Sequence, residues 1–230
     1  MNNSNSKTAR PWPPVPIAAP VPIAAPVPAF ILGLLLVMAL SLTAISTASA
    51  SSAPDSAWMT RINQALQAMP PLSGRFQQKL PNGAHAAGSY AIDWPDRLRF
   101  AYDVGGESIV TVKGKFVAVQ EVAGAEPNWF PVALTPLAVL RQAISDGIST
   151  EMVHEFTLRE DNYSITLHDP SDELPGMAEL FFTRKGDRLY AWQLTDVQNL
   201  VTLVRLSEII THETLPRSYF DIIENEEDDY

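Results

Sequence analysis

The 230-residue chain contains no cysteine. That absence excludes a disulfide scaffold, a zinc–thiolate site and a catalytic thiol. It also excludes a lipid anchor carried on an N-terminal cysteine. Histidine is scarce, and His85, His154, His168 and His212 lie without the spacing of a metal-ligand set. His154-Glu155 and His212-Glu213 lack the second histidine that a zinc-protease helix places one turn away. There is no Gly-x-Ser-x-Gly elbow and no phosphate-binding glycine loop. His168-Asp169 is the best acid–base pair, but it ends a predicted strand just before Pro170, where a solvated terminus is the ordinary role. The gaps point to binding rather than catalysis, with no metal and no cofactor expected.

Acidic residues are missing from the first 50 positions, which hold Lys7, Arg10 and an apolar run from Ala29 to Ile45. Small residues follow and end at Ala48-Ser49-Ala50. A basic start, an apolar run and an Ala-x-Ala exit define a cleaved secretory signal, expected over residues 1–50. No basic cluster follows the run to hold it in a membrane. Residues 14–28 repeat Pro-Val-Pro-Ile-Ala-Ala, which proline biases toward extended backbone. This repeat reads as a long, tolerated signal start without a function of its own.

Residues 51–230 carry all 26 acidic residues against 14 of the 16 basic ones, a balance of −12. Such a surface repels nucleic acid and anionic membranes. Much of the imbalance sits in Glu224-Asn-Glu-Glu-Asp-Asp229, so residues 224–230 are expected as a solvated acidic tail. The segment 51–223 is long enough for one domain with a real core.

The patterning is mainly β. Asp55 or Ser56 can cap a first helix, whose Trp58, Ile62, Leu66 and Met69 make one apolar stripe before Pro70-Pro71 ends it. Strands are predicted over 72–80, 89–94, 97–103, 108–112 and 116–122, with Leu72, Gly74 and Phe76 on one face of the first. Tyr90, Ile92 and Trp94 share a face by alternation, as do Leu98, Phe100 and Tyr102. Arg97, Arg99 and Asp103 lie opposite, as on the wet side of an antiparallel sheet. Thr135-Pro136 opens a second helix with Leu137, Leu140 and Ile144 as its stripe, and Asp146-Gly147 closes it. Strands resume over 153–160, 162–169, 177–184, 188–196 and 200–206. Leu180 with Phe182, and Tyr190 with Trp192, extend the apolar set. Asp196 is expected to stabilise the Gln198-Asn199 turn. The sum is about ten antiparallel strands and two helices, with an apolar face that is either a packed core or the wall of a cavity.

Four segments carry a family resemblance: Gly74-Arg-Phe-Gln77, Gly88 through Asp103, Thr135-Pro-Leu137 and Trp192-Gln-Leu-Thr-Asp-Val-Gln198. In this order, behind a signal and an amphipathic helix, the chain resembles the periplasmic outer-membrane lipoprotein carriers, the LolA-type family, over roughly 58–223. The resemblance implies a mainly β (α+β) fold, a curved antiparallel sheet forming an incomplete β-barrel, with helices covering an apolar cavity. It implies a soluble, monomeric periplasmic carrier that binds the acyl chains of lipoproteins. Such a carrier takes them from an inner-membrane transporter to an outer-membrane receptor. The resemblance implies no enzymatic activity. Phe76, Tyr90, Ile92, Trp94, Leu98, Phe100, Tyr102, Leu180 and Phe182 would then line the cavity, with Leu137, Leu140 and Ile144 on the lid. The alternative is a carrier or sensor of free lipid or glycolipid that uses the same cavity.

One position departs from the family pattern. Where these carriers commonly place an arginine before the proline of the strand–turn motif, linked to lid closure, this chain has Trp94. A single indole donor cannot replace a guanidinium fork. An aromatic closure is expected instead, with Trp94 packed under the second helix at Leu137 and Leu140.

Overall fold

The computed structural model describes residues 54–103 and 108–223. The expected signal over 1–50 and the acidic tail over 224–230 lie outside the described residues. Helix α1, Ser56–Gln67, starts where Asp55 accepts a hydrogen bond from the Trp58 amide at 2.9 Å, and it buries Ile62 and Leu66. Six strands follow: β1 Leu72–Lys79, β2 His85–Asp93, β3 Arg97–Tyr102, β4 Ile109–Lys113, β5 Phe116–Gln120 and β6 Asn128–Pro131. A short 3-10 turn, Val132–Leu134, leads into helix α2, Leu137–Asp146, which ends at Gly147 with φ +85°. Five more strands complete the sheet: β7 Val153–Leu158, β8 Asn162–His168, β9 Met177–Thr183, β10 Leu189–Thr195 and β11 Val201–Thr211.

All eleven strands form one antiparallel sheet in the order β6-β5-β4-β3-β2-β1-β11-β10-β9-β8-β7. Every pairing but one joins neighbours in sequence, so hairpins build most of the sheet. The exception, β1 with β11, stitches the two meanders together. The sheet does not close, because β6 and β7 remain its two edges. The incomplete-barrel expectation is therefore met in topology. Strand β6 was not expected. Its Asn-Trp-Phe-Pro is short, ends in proline and is exposed along its whole length, so it lacks the half-buried alternation that marks a strand. Strand β2 also starts earlier than predicted, at His85, and β11 runs on to Thr211.

Cross-strand register sorts the side chains. Leu206, Phe76, Gly88 and Tyr102 form one row. Val119, Val110, Phe100 and Tyr90 form a second, and Val117, Val112, Leu98 and Ile92 a third. Across the junction, Gln78, Val204, Trp192, Leu180, Ile165 and Phe156 continue the same face. This inner face packs against α1 and α2 in one apolar cluster.

Two features break simple alternation. A bulge on β10 between Leu189 and Ala191 turns both Leu189 and Trp192 inward and leaves Tyr190 beside Phe181, with ring centroids 6.4 Å apart. Tyr190 therefore does not join Trp192, as a strict period of two implies. The outer face is also not uniformly wet. Leu215 and Phe220 of the C-terminal segment bury Ala91 there, and the Arg97 guanidinium sits 5.8 Å from the Phe220 ring. Lys113 pairs with Asp221 at 3.1 Å, and the Gln120 amide donates to the Ala125 and Ile223 carbonyls at 2.6 and 2.9 Å. Arg97 and Arg99 of β3 meet this strap, whereas Asp103 pairs with Arg75.

Gly88 shows how tightly the inner face is filled. A Cβ there would lie 2.0 Å from the Ala101 carbonyl oxygen and 2.7 Å from the Phe76 ring. The ring occupies the room that glycine leaves. Gly88→Val is expected to destabilise the domain by about 2–3 kcal/mol, read as a lower urea midpoint with an unchanged denaturant slope.

Candidate functional site

The predicted pocket and lid residues converge. Phe76, Tyr90, Ile92, Leu98, Leu180 and Phe182 are buried to 1% exposure or less, and Leu140 and Ile144 are buried with them. Trp94, Phe100, Tyr102 and Leu137 are half-buried and pack on the same cluster. All twelve thus lie between the inner face of the sheet and its covering helices. The aromatic rings are contiguous: Phe76 meets Phe100 and Tyr102 edge-on, each at 5.1 Å between centroids. Phe100 meets Trp192 at 6.1 Å and lies stacked 6.3 Å from Tyr90. Such contacts add modestly to the burial of large apolar rings.

Trp94 packs edge-on against Trp192 at 5.9 Å. The ring partner of Trp94 is thus Trp192 of β10, whereas the expectation named Leu137 and Leu140 of α2. The polar link between turn and helix starts from the helix. Arg141, on α2, donates from Nε to the Pro95 carbonyl at 3.2 Å and from its terminal nitrogen to the Asp96 carboxylate. The guanidinium comes from the helix and its acceptors from the β2–β3 turn. Nothing in the periodicity marked Arg141. The available signal was a lone arginine four residues after Leu137, facing a turn that holds an aspartate.

Helix α1 is held from the other side. Arg61 Nε donates to both Asp187 oxygens at 2.8 and 2.9 Å and its terminal nitrogen to the Arg184 carbonyl at 2.7 Å, in the β9–β10 turn. The hydrogen bond to Asp187 raises the Arg61 pKa further. The guanidinium also lies 4.6 Å from the Trp58 ring. Tyr163 donates to the same carboxylate at 3.0 Å. Burial first, and Asp187 second, push this hydroxyl well above the ordinary tyrosine range. The two helices are bracketed by Asn63, whose side chain donates to the Ile148 carbonyl at 3.0 Å and accepts from its amide at 2.7 Å. The cover thus rests on apolar packing and three polar ties.

Asp169 has a structural task. Its carboxylate accepts from the Ser171 hydroxyl at 2.8 Å, the Ser171 amide at 3.3 Å, and the Glu173 and Leu174 amides at 2.9 Å each. Burial alone would raise this carboxyl, but the donors outweigh it and hold it below the usual aspartate value. The loop so organised abuts the start of α2, since a Cβ at Gly176 would lie 3.0 Å from the Pro136 side chain. Asp196 also acts as expected, accepting from the Gln198 and Leu200 amides at 2.8 and 2.9 Å. Among the described residues, no group of three or more histidine, aspartate or glutamate side chains could hold a metal ion, and no helix is long and apolar enough to cross a membrane.

Residues 68–223 match the model of a family described as outer membrane lipoprotein carrier protein LolA. No curated protein matches the sequence. Solved structures similar to this one include a LolA superfamily protein from Nitrosomonas europaea, 10% identical with a TM-score of 0.41, over 71% of this chain and 97% of that one. They also include a domain titled as a putative outer membrane lipoprotein-sorting protein from Vibrio parahaemolyticus, 7% identical with a TM-score of 0.42, over 71% and 95%. MucB of Pseudomonas aeruginosa, solved with MucA, is 13% identical with a TM-score of 0.40, over 72% of this chain and 59% of that one.

Arg141→Ala is expected to raise amide hydrogen exchange in α2 roughly five- to tenfold, with β1 and β2 unchanged, because about 1 kcal/mol of partly screened bonding is lost. Asp169→Asn is expected to cost about 1–3 kcal/mol at neutral pH. The folded carboxyl lies below its unfolded value of roughly 3.9, so its stabilisation is complete above that pH and fades as the pH falls through the lower folded value. Urea titrations should therefore show the gap between wild type and variant closing in acid.

Proposed function

The chain belongs to the LolA family of outer membrane lipoprotein carrier proteins, and on that footing we propose that it is a soluble periplasmic carrier of lipoprotein acyl chains. The observation that carries this reading is a sheet left unclosed, whose inner face is mainly apolar from β5 to β8 and is covered by two tied helices. Each methylene withdrawn from water is worth about 0.8 kcal/mol, so an acylated protein cannot cross an aqueous space uncovered. The inner face offers cover of the same chemistry. Its contacts with α1 and α2 are mostly non-directional, so acyl chains can replace them without leaving many polar groups stranded.

Phe76, Tyr90, Ile92, Trp94, Leu98, Phe100, Tyr102, Leu180 and Phe182 are the proposed walls, and Leu137, Leu140 and Ile144 the proposed lid contacts. Loading then means moving α2 and its Arg141 tie away from the β2–β3 turn. The inner-membrane transporter supplies cargo and the energy of release, and an outer-membrane receptor takes the cargo. Residues 1–50 direct the chain to the periplasm. Binding, not chemistry, is the task. Free lipid is the second reading, because the same face would receive it.

The test is release of newly made lipoproteins from spheroplasts by the added protein. Acylated proteins are expected in the soluble fraction bound to it, and a Leu140→Glu variant is expected to retain little of this activity. Extraction of free lipid alone would move the assignment to lipid carriage or sensing. Release of neither would reject acyl binding.

A further inference from the structure

Two polar atoms of the inner face have no hydrogen-bond partner among the described residues: the Tyr90 hydroxyl and the Trp94 indole nitrogen. Tyr90 is 1% exposed, so water does not serve it from outside. The other tyrosine hydroxyls of this face are provided for. Tyr102 donates to Gln78 Oε1 at 2.6 Å and Tyr163 to Asp187 at 3.0 Å. Burial also drives the Tyr90 pKa upward, so its hydroxyl keeps its proton and stays a donor. An indole N–H can only donate.

The two residues sit on one side of the same chain segment, four apart, and their rings close on one aromatic pair. Tyr90 stacks on Phe100 at 6.3 Å, Trp94 abuts Trp192 at 5.9 Å, and Phe100 and Trp192 touch at 6.1 Å. Hydrocarbon lying on these rings would leave both donors unmet. An acceptor without a proton of its own would meet them. A lipid carries such an acceptor where its chain joins the rest of the molecule, in the carbonyl of an ester or amide.

We propose that Tyr90 and Trp94 form a polar subsite within the apolar face that recognises the linkage carbonyls of acyl esters and amides, so that the protein selects acylated ligands over alkyl ethers of the same length. The proposal rests on the acyl-binding reading above and adds the linkage chemistry to it. It also gives Trp94 a second role beside its packing. The indole donates to the ligand, whereas the guanidinium of Arg141 is already committed to the turn.

The test measures partition from phosphatidylcholine vesicles onto the full-length protein. One arm uses labelled dipalmitoylglycerol, the other a dipalmitoyl-S-glyceryl-cysteinyl peptide, each beside its diether analogue. Tyr90→Phe is expected to lower the ester-to-ether ratio about tenfold, the effect of one good hydrogen bond. Trp94→Phe is expected to lower the ratio as well. Loss of the ratio in either arm supports the subsite, and the arm with the larger loss identifies free lipid or lipidated protein as its source. A ratio unchanged by both substitutions in both arms overturns the subsite and leaves acyl binding standing. Uptake of none of the four lipids overturns acyl binding and the subsite with it.

Discussion

An eleven-stranded antiparallel sheet that does not close must still keep one face away from water. A closed barrel would do this by wrapping the face around itself. Here β6 and β7 stay apart, and the face that carries Phe76, Ile92, Leu98 and Leu180 depends on α1 and α2 for cover. Each other main feature answers this constraint. The segment between the meanders contains a helix, the first helix is amphipathic, and the ties of Arg141 and Arg61 run to turns of the sheet.

The kind of cover matters for what the protein can do. Sheet hydrogen bonds are directional and numerous, so the strands form a stable frame. The helices are held by dispersion, burial and a few ties: Arg141 to the β2–β3 turn, Arg61 to the β9–β10 turn, and Asn63 across to Ile148. A hydrogen-bonded frame and a cover held mainly by packing would differ in local stability within one domain. A carrier needs this inequality, since its apolar face must be hidden when empty and available when loading. The energy that hides the face is of the same kind as the energy that would hold a lipid on it.

Much of the inner face could be read from alternation. Tyr90, Ile92, Leu98 and Phe100 follow a period of two on unbroken strands, and Leu137, Leu140 and Ile144 follow a helical period, so each set reached one side. Alternation failed where the backbone departs from regularity. The β10 bulge sends Tyr190 outward and brings Leu189 in with Trp192, which a linear pattern cannot announce. Strand β6 escaped because an exposed edge strand has no buried face to create a pattern. The C-terminal strap escaped because the burial of Ala91 under Phe220 joins residues far apart in the chain.

The sequence by itself determined the class of the molecule. Many short amphipathic strands separated by turn residues specified a β-rich fold, and four ordered segments pointed to its family. These properties are local, set by residue type and by spacing over a few positions. Tertiary structure alone decided which groups would be left without partners. Tyr90, Tyr102 and Tyr163 look alike in the chain, yet Gln78 and Asp187 reach the last two and nothing among the described residues reaches the first. It also decided that the guanidinium at the β2–β3 turn would come from α2. Hydrogen bonding is short-ranged and directional, so it depends on which distant segments folding brings together.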